Sequence, residues 1–105
     1  MKDKELMLEA IEHSSQYTPK QREILQLFLN IEVNDIVSIT IIELAKIINT
    51  SKATVYLNLT RLEEDGLVNK ISPKGKHFST FKLNKTNLSD LLKVYLKKKD
   101  YLKSI

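Results

Sequence analysis

The side chains in this sequence that can do chemistry are mostly cations. Residues 66–105 hold ten lysines against two aspartates, whereas residues 1–65 hold seven Lys/Arg against eleven Asp/Glu. A lysine ammonium is a compact point charge that pairs with phosphate oxygens. A basic half of this kind is therefore an electrostatic footprint for a polyanion, either nucleic acid or an anionic membrane surface. Arginine is scarcer, at Arg22 and Arg61 only, and its planar fork is the group that pairs bidentately with a guanine edge. Other chemistries lack their parts. Cysteine is absent, which excludes disulfides, thiol catalysis and Cys-ligated zinc. His13 and His77 fall in different segments with no carboxylate pattern nearby, so each reads as a surface residue. Glu63, Glu64 and Asp65 form a charge run without metal-ligand spacing, and two glycines cannot build a Gly-rich phosphate loop. The sequence thus points to no catalytic residue, no metal site and no cofactor.

These charges need a scaffold, and the apolar spacing supplies one across a single expected domain, residues 1–105. Lys4 to His13 reads as a short amphipathic helix with Leu6, Ala10 and Ile11 on one face. Residues 14–17 break it. Thr18 caps a second helix, with Pro19 at its first position and Gln21 placed to return the capping-box bond. Its apolar face is Ile24, Leu25, Leu27, Phe28 and Ile31. Asn34 and Asp35 mark a turn, and Ile36 to Ile39 is short and β-branched, an edge strand. Thr40 and Glu43 make a second capping box ahead of the stripe Ile41, Leu44, Ala45 and Ile48. Ser51 caps a fourth helix by accepting from the amide of Ala53 or Thr54, and Gly66 ends it. Leu67 to Ile71 and Phe78 to Leu83 flank a turn at residues 73–76 and form a β-hairpin. In it Phe81 and Leu83 point inward, and Phe78 falls on the other face unless a bulge intervenes. A last helix carries Leu88, Leu91, Leu92, Tyr95 and Leu102. The order is α-α-(β)-α-α-β-β-α, mainly α with a small β-hairpin. The start has no signal-peptide pattern and no segment is long enough to span a membrane, which implies a cytoplasmic location.

From Thr40 to Val68 the order is helix, tight polar turn, helix, stop and strand, an arrangement that presents one helix to the major groove of DNA. Residues 40–83 resemble a winged helix-turn-helix domain of the bacterial and archaeal regulator type, similar to the MarR, TrmB and ArsR groups. The resemblance rests on Leu44-Ala45, the capped turn at Ser51, Thr54-Val55-Tyr56, Leu59, Leu62-Glu63 and Gly66-Leu67-Val68, followed by a basic hairpin. It implies a helix-turn-helix over residues 40–66, a wing over 67–83, and flanking helices at 1–15 and 87–105. Thr18 to Ile31 matches the supporting helix expected in front.

Projecting the fourth helix at about 100° per residue separates its faces. Val55, Leu59 and Leu62 face the core, with Asn58 beside them. Lys52, Ala53, Tyr56, Leu57, Thr60 and Arg61 lie opposite, and the resemblance implies that this side enters the groove. Ser51 and Thr54 sit at the helix N-terminus, where hydroxyls and free amides favour a phosphate. Arg22 is on the supporting helix, so Arg61 is the one strong reader of guanine. Leu57 stands where related domains often carry a polar or basic residue, and it suits either a thymine methyl or a protein. The wing supplies Lys70, Lys74, Lys76, His77 and Lys82, against the alternative that lysines merely blunt an exposed edge. Base reading is therefore expected to be modest, with affinity coming chiefly from lysines on phosphate.

The terminal helix carries more apolar surface than a small domain needs. By the resemblance it pairs with a second copy, the first helix joining in, through Leu6, Ile11, Leu88, Leu92, Tyr95 and Leu102. A two-fold dimer would set two recognition helices about 34–36 Å apart on a pseudo-palindromic site. The expected function is double-stranded DNA binding as a homodimer, as a transcriptional repressor. The alternatives are a plasmid or phage partition or replication adaptor on repeated sites, and a winged-helix module that binds a protein partner instead of DNA. A small-molecule effector between the first helix and the dimer interface stays open, and no membrane partner is expected.

Overall fold

Side-chain oxygens start the helices that matter. In the computed structural model, which describes residues 2–71 and 79–103, the elements are α1 (Lys2–Glu12), α2 (Pro19–Ile31), β1 (Ile36–Ile39), α3 (Ile41–Ile47), α4 (Lys52–Glu64), β2 (Val68–Ile71), β3 (Ser79–Leu83) and α5 (Lys85–Lys103). The Thr18 hydroxyl accepts from the Gln21 amide and the Gln21 side chain accepts from the Thr18 amide, closing a capping box ahead of α2. Thr40 and Glu43 do the same for α3. Ser51 accepts from the amide of Thr54, the second of its two expected partners, and starts α4. Each cap satisfies amides that the first helical turn leaves without a carbonyl.

The three strands form one antiparallel sheet in the order β1-β3-β2. The expected hairpin is β2 with β3, and β1 is the expected edge strand, paired to β3 with Val37 opposite Phe81. Phe81 and Leu83 point inward as alternation requires, both essentially inaccessible. Phe78 and the turn at residues 73–76 lie outside the described residues. Asn34 and Asp35, at φ 52° and 70°, make the turn before β1 in the left-handed region that Asn and Asp tolerate best. The Asp35 carbonyl accepts from Leu83 at 2.8 Å. Lys85 reaches Glu32 at 2.9 Å and Asp35 at 3.0 Å, tying the start of α5 to this turn.

The core lies where α2 meets the sheet and α4. Phe28 and Phe81 meet with ring centroids 5.1 Å apart, and Ile24, Leu25, Val55, Leu62 and Val68 are fully buried around them. Leu29 and Met7 join this core although neither was assigned to it, while Ile31, expected on the buried face of α2, is 40% exposed. α1 lies along α5. Ile11 and Leu88, expected at an interface between two copies, are fully buried within this one chain. Their burial is complete without a partner, so they offer no surface to one. Of the same set, Leu6, Leu92 and Tyr95 keep exposed surface, and the Leu102 side chain lies outside the described ones. No helix among the described residues is long and apolar enough to cross a membrane.

α4 ends where its chemistry says it must. Gly66 has φ 74°, and a Cβ there would stand 2.8 Å from the Asn87 side-chain nitrogen, which itself donates to the Gly66 carbonyl. Gly66→Ala is expected to cost about 1–2 kcal/mol from the left-handed backbone alone, with a further loss as Asn87 is displaced. Urea denaturation measures it. An unchanged midpoint would show that the α4–β2 junction relaxes freely.

Candidate nucleic-acid interface

A helix that reads a groove must be fixed on one side and bare on the other. Val55, Leu59 and Leu62 fix α4 by apolar burial. Two polar contacts add direction. The side chain of Gln21, 7% exposed, donates to the Asn58 side-chain oxygen Oδ1 at 3.2 Å, and Asn58 Nδ2 donates to the Thr54 backbone carbonyl at 3.0 Å. At the other end Tyr17, 4% exposed, donates its hydroxyl to the Asp65 carboxylate at 2.8 Å. Apolar contact alone is non-directional; these bonds set how α4 is rotated and how far it slides.

The opposite side is bare. Ser51, Lys52, Ala53, Tyr56, Leu57, Thr60 and Arg61 are exposed and Thr54 is half-buried. The hydroxyls of this face are partly occupied. Ser51 donates to the Thr54 hydroxyl at 2.9 Å, and Thr60 donates to the Tyr56 carbonyl at 2.9 Å. Leu57 is the most exposed large apolar residue among the described ones, at 73%. Arg61, expected as the reader of guanine, is already engaged. Its Nε donates to Asp65 at 3.0 Å, and its guanidinium carbon lies 5.6 Å from the centroid of the Tyr17 ring.

The lysines divide into two groups. Lys46, Lys52, Lys70, Lys82, Lys97 and Lys98 are exposed and make no ion pair among the described residues. Register separates two of them. Lys70 lies opposite Phe81 and so shares the face that carries Val68 and Leu83, on the outer strand of the sheet, whereas Lys82 is opposite Asn69 on the other face. The second group is spoken for. Lys85 serves Glu32 and Asp35, Lys99 pairs with Glu9 at 3.6 Å, and Lys93 approaches Asp90 at 3.9 Å. The Lys85 ammonium holds the Glu32 carboxyl below its ordinary value. Lys74, Lys76 and His77 lie outside the described residues.

Elsewhere, an open cavity of about 380 Å³ lies between α1 and α5, lined by Ala10, His13, Leu91, Val94, Tyr95 and Lys98 among others. His13 stacks on Tyr95 with ring centroids 5.4 Å apart. Among the described residues no group of three His, Cys, Asp or Glu could hold a metal ion. Three residues that position α4 carried weaker signals in the sequence. Gln21 was legible only as a capping residue, Tyr17 only as part of a break, and Asp65 only as a charge. The Arg61–Asp65 spacing of i,i+4 was the one available hint.

With this geometry in view, comparison with known proteins is informative. The sequence pattern described as the ferric uptake regulator family matches residues 12–93. No curated protein is similar enough in sequence to match. Among solved structures, the chain is similar to MepR of Staphylococcus aureus, a transcription regulator of the multidrug efflux pump MepA. The TM-score is 0.62 with 18% identity, over 95% of this chain and 72% of that one. A complex of S. aureus MepR with DNA gives a TM-score of 0.60 with 19% identity, over 98% and 78%. The zinc-responsive MarR family member ZitR of Lactococcus lactis gives 0.58 with 18% identity; it is covered to 60% of its length by 88% of this chain. At these identities the structures establish the fold, a winged helix-turn-helix.

The Tyr17 site makes a spectroscopic prediction. Burial first, then the Asp65 carboxylate, pushes the Tyr17 phenol up to about 12. A raised phenol pKa favours the neutral form in the fold. Its contribution to stability is therefore full below the unfolded value of about 10 and lost as pH rises through about 12. Ultraviolet titration should show a phenolate step near pH 12 that Tyr17→Phe abolishes. A Tyr17 step at the ordinary phenol value would contradict the buried contact.

Proposed function

The chain belongs to the ferric uptake regulator family, and on that premise we propose that it binds double-stranded DNA through α4 and the wing to regulate transcription. The observation that carries this reading is the seating of α4: one face buried and bonded into the fold, the other bare, with Lys52 at its start exposed and without an ion pair among the described residues. The site at Ser51, Lys52, Ala53, Thr54, Tyr56, Leu57 and Thr60 lies along the groove floor, and Lys70, with Lys74, Lys76 and His77, which fall outside the described residues, is assigned to the phosphates. The DNA complex of MepR, a similar fold, supports the geometry. The family name suggests a metal, yet the described residues do not fit one: cysteine is absent from the sequence and no cluster of three donors exists among them.

We read the active species as a homodimer that represses by occupying an operator. α5 carries exposed Val94 and Leu96, and Leu6 and Leu92 are half-buried, Leu92 packed in part against the core. A two-fold pairing there places two copies of α4 on successive major grooves. One observation favours a different reading. Leu57 at 73% exposure suits a protein groove as well as a thymine methyl, and a protein-interaction module would use the same face without DNA.

Two measurements decide between them. Affinity for a duplex selected from a random-sequence pool should fall steeply with salt, and each lysine removed from phosphate contact (Lys52→Ala, Lys70→Ala) should reduce the log–log slope by about 0.9. A salt-insensitive complex, or unchanged slopes, would leave the protein-interaction module in front. Sedimentation should give a dimer at micromolar concentration that Leu92→Glu dissociates with helix content unchanged. A wild-type monomer under these conditions rules out the two-fold arrangement.

A further inference from the structure

Arg61 is the one arginine of α4, on its exposed side, yet the fold holds it elsewhere. Asp65 Oδ2 accepts at once from the Tyr17 hydroxyl at 2.8 Å and from Arg61 Nε at 3.0 Å, and the guanidinium lies over the Tyr17 ring at 5.6 Å. An i,i+4 pair on an open helix surface would be too weak to matter. Here the acceptor is fixed by a tyrosine only 4% exposed, and the ring gives the guanidinium a second surface to rest on. Both partners are ordered before any ligand arrives. Arg61 itself remains 47% exposed, so a change of rotamer frees it without unfolding the helix. The contact costs Arg61 part of its donor fork and cancels its charge locally.

We propose that Asp65, anchored by Tyr17, is a specificity-determining positioning residue that withholds Arg61 from the DNA. The inference rests on the DNA-binding reading above. Discrimination is then low because the contact to Asp65 competes with a guanine edge, although the chain has a residue able to read one. Tyr17 belongs to the device because it joins the α1–α2 connection to the end of α4, some 48 residues away in sequence. Removing the Asp65 charge releases Arg61 and adds a base contact that the wild type lacks.

The test uses the full chain and duplexes selected from a random-sequence pool, separately for wild type, Asp65→Asn, Arg61→Gln and the double variant. Asparagine keeps an oxygen for the Tyr17 hydroxyl while removing the charge; Asp65→Ser serves if the first variant is unstable. Asp65→Asn should bind its best duplex at least about fivefold tighter than wild type, with a new guanine preference at one position per half-site, as a gained bidentate contact implies. Arg61→Gln alone should change affinity less than twofold, and the double variant should lose the gain. Wild-type binding with no Arg61-dependent gain in either Asp65 variant overturns the withholding role alone. So does a loss of fivefold or more in Arg61→Gln, because Arg61 would then already be on the DNA. Failure of every variant to bind any duplex overturns it together with the DNA-binding reading.

Discussion

Everything this chain offers to a partner depends on how α4 is seated. A stripe of Val55, Leu59 and Leu62 buries one side of the helix, but burial rewards area and does not choose a rotation. The Gln21–Asn58 and Tyr17–Asp65 bonds do choose one, at the middle and the end of the helix. Both involve side chains buried on the α2 side, where an unmade bond is costly. The consequence reaches the far face. Lys52, Ala53, Tyr56, Leu57 and Thr60 are presented in one fixed arrangement, and Arg61 is drawn sideways by the same contact that secures the helix end.

Charge follows a similar logic of use and reserve. The basic half of the sequence is not a single cationic surface, because several of its lysines have structural work. Lys85 bridges Glu32 and Asp35 and so joins α5 to the turn before β1. Lys99 pairs with Glu9 across the α1–α5 contact. Those left without an ion pair among the described residues are spread over the fold: Lys46 on α3, Lys52 at the start of α4, Lys70 on the helix-facing side of the sheet, and Lys97 and Lys98 on α5. Lys82 looks the other way. A net charge is a sum over the surface, whereas affinity for phosphate depends on which charges share a side.

Local features were legible in the sequence and distant ones were not. The caps at Thr18, Thr40 and Ser51 and the stop at Gly66 could be read because each depends on residues within a turn of one another. The core side of α4 could be read because helical periodicity fixes it. Pairing of β1 with β3 joins segments about 40 residues apart, and short β-branched runs do not announce their partners. The same limit explains Ile11 and Leu88. An apolar stripe shows which side of a helix is buried but not what buries it, and here α1 and α5 cover one another's stripes within a single chain. Tyr17 looked like part of a break between helices because its partner, Asp65, lies across the fold.

The bare side of α4, held by Gln21 and Tyr17, is the proposed DNA-binding surface. Amide chemical-shift mapping by nuclear magnetic resonance tests it most directly, with a duplex added in steps to the isotopically labelled chain. The largest changes should fall on residues 51–61 and on β2 near Lys70, with the stacked His13–Tyr95 region changing little. Changes concentrated on α1 and α5, with α4 silent, would contradict it.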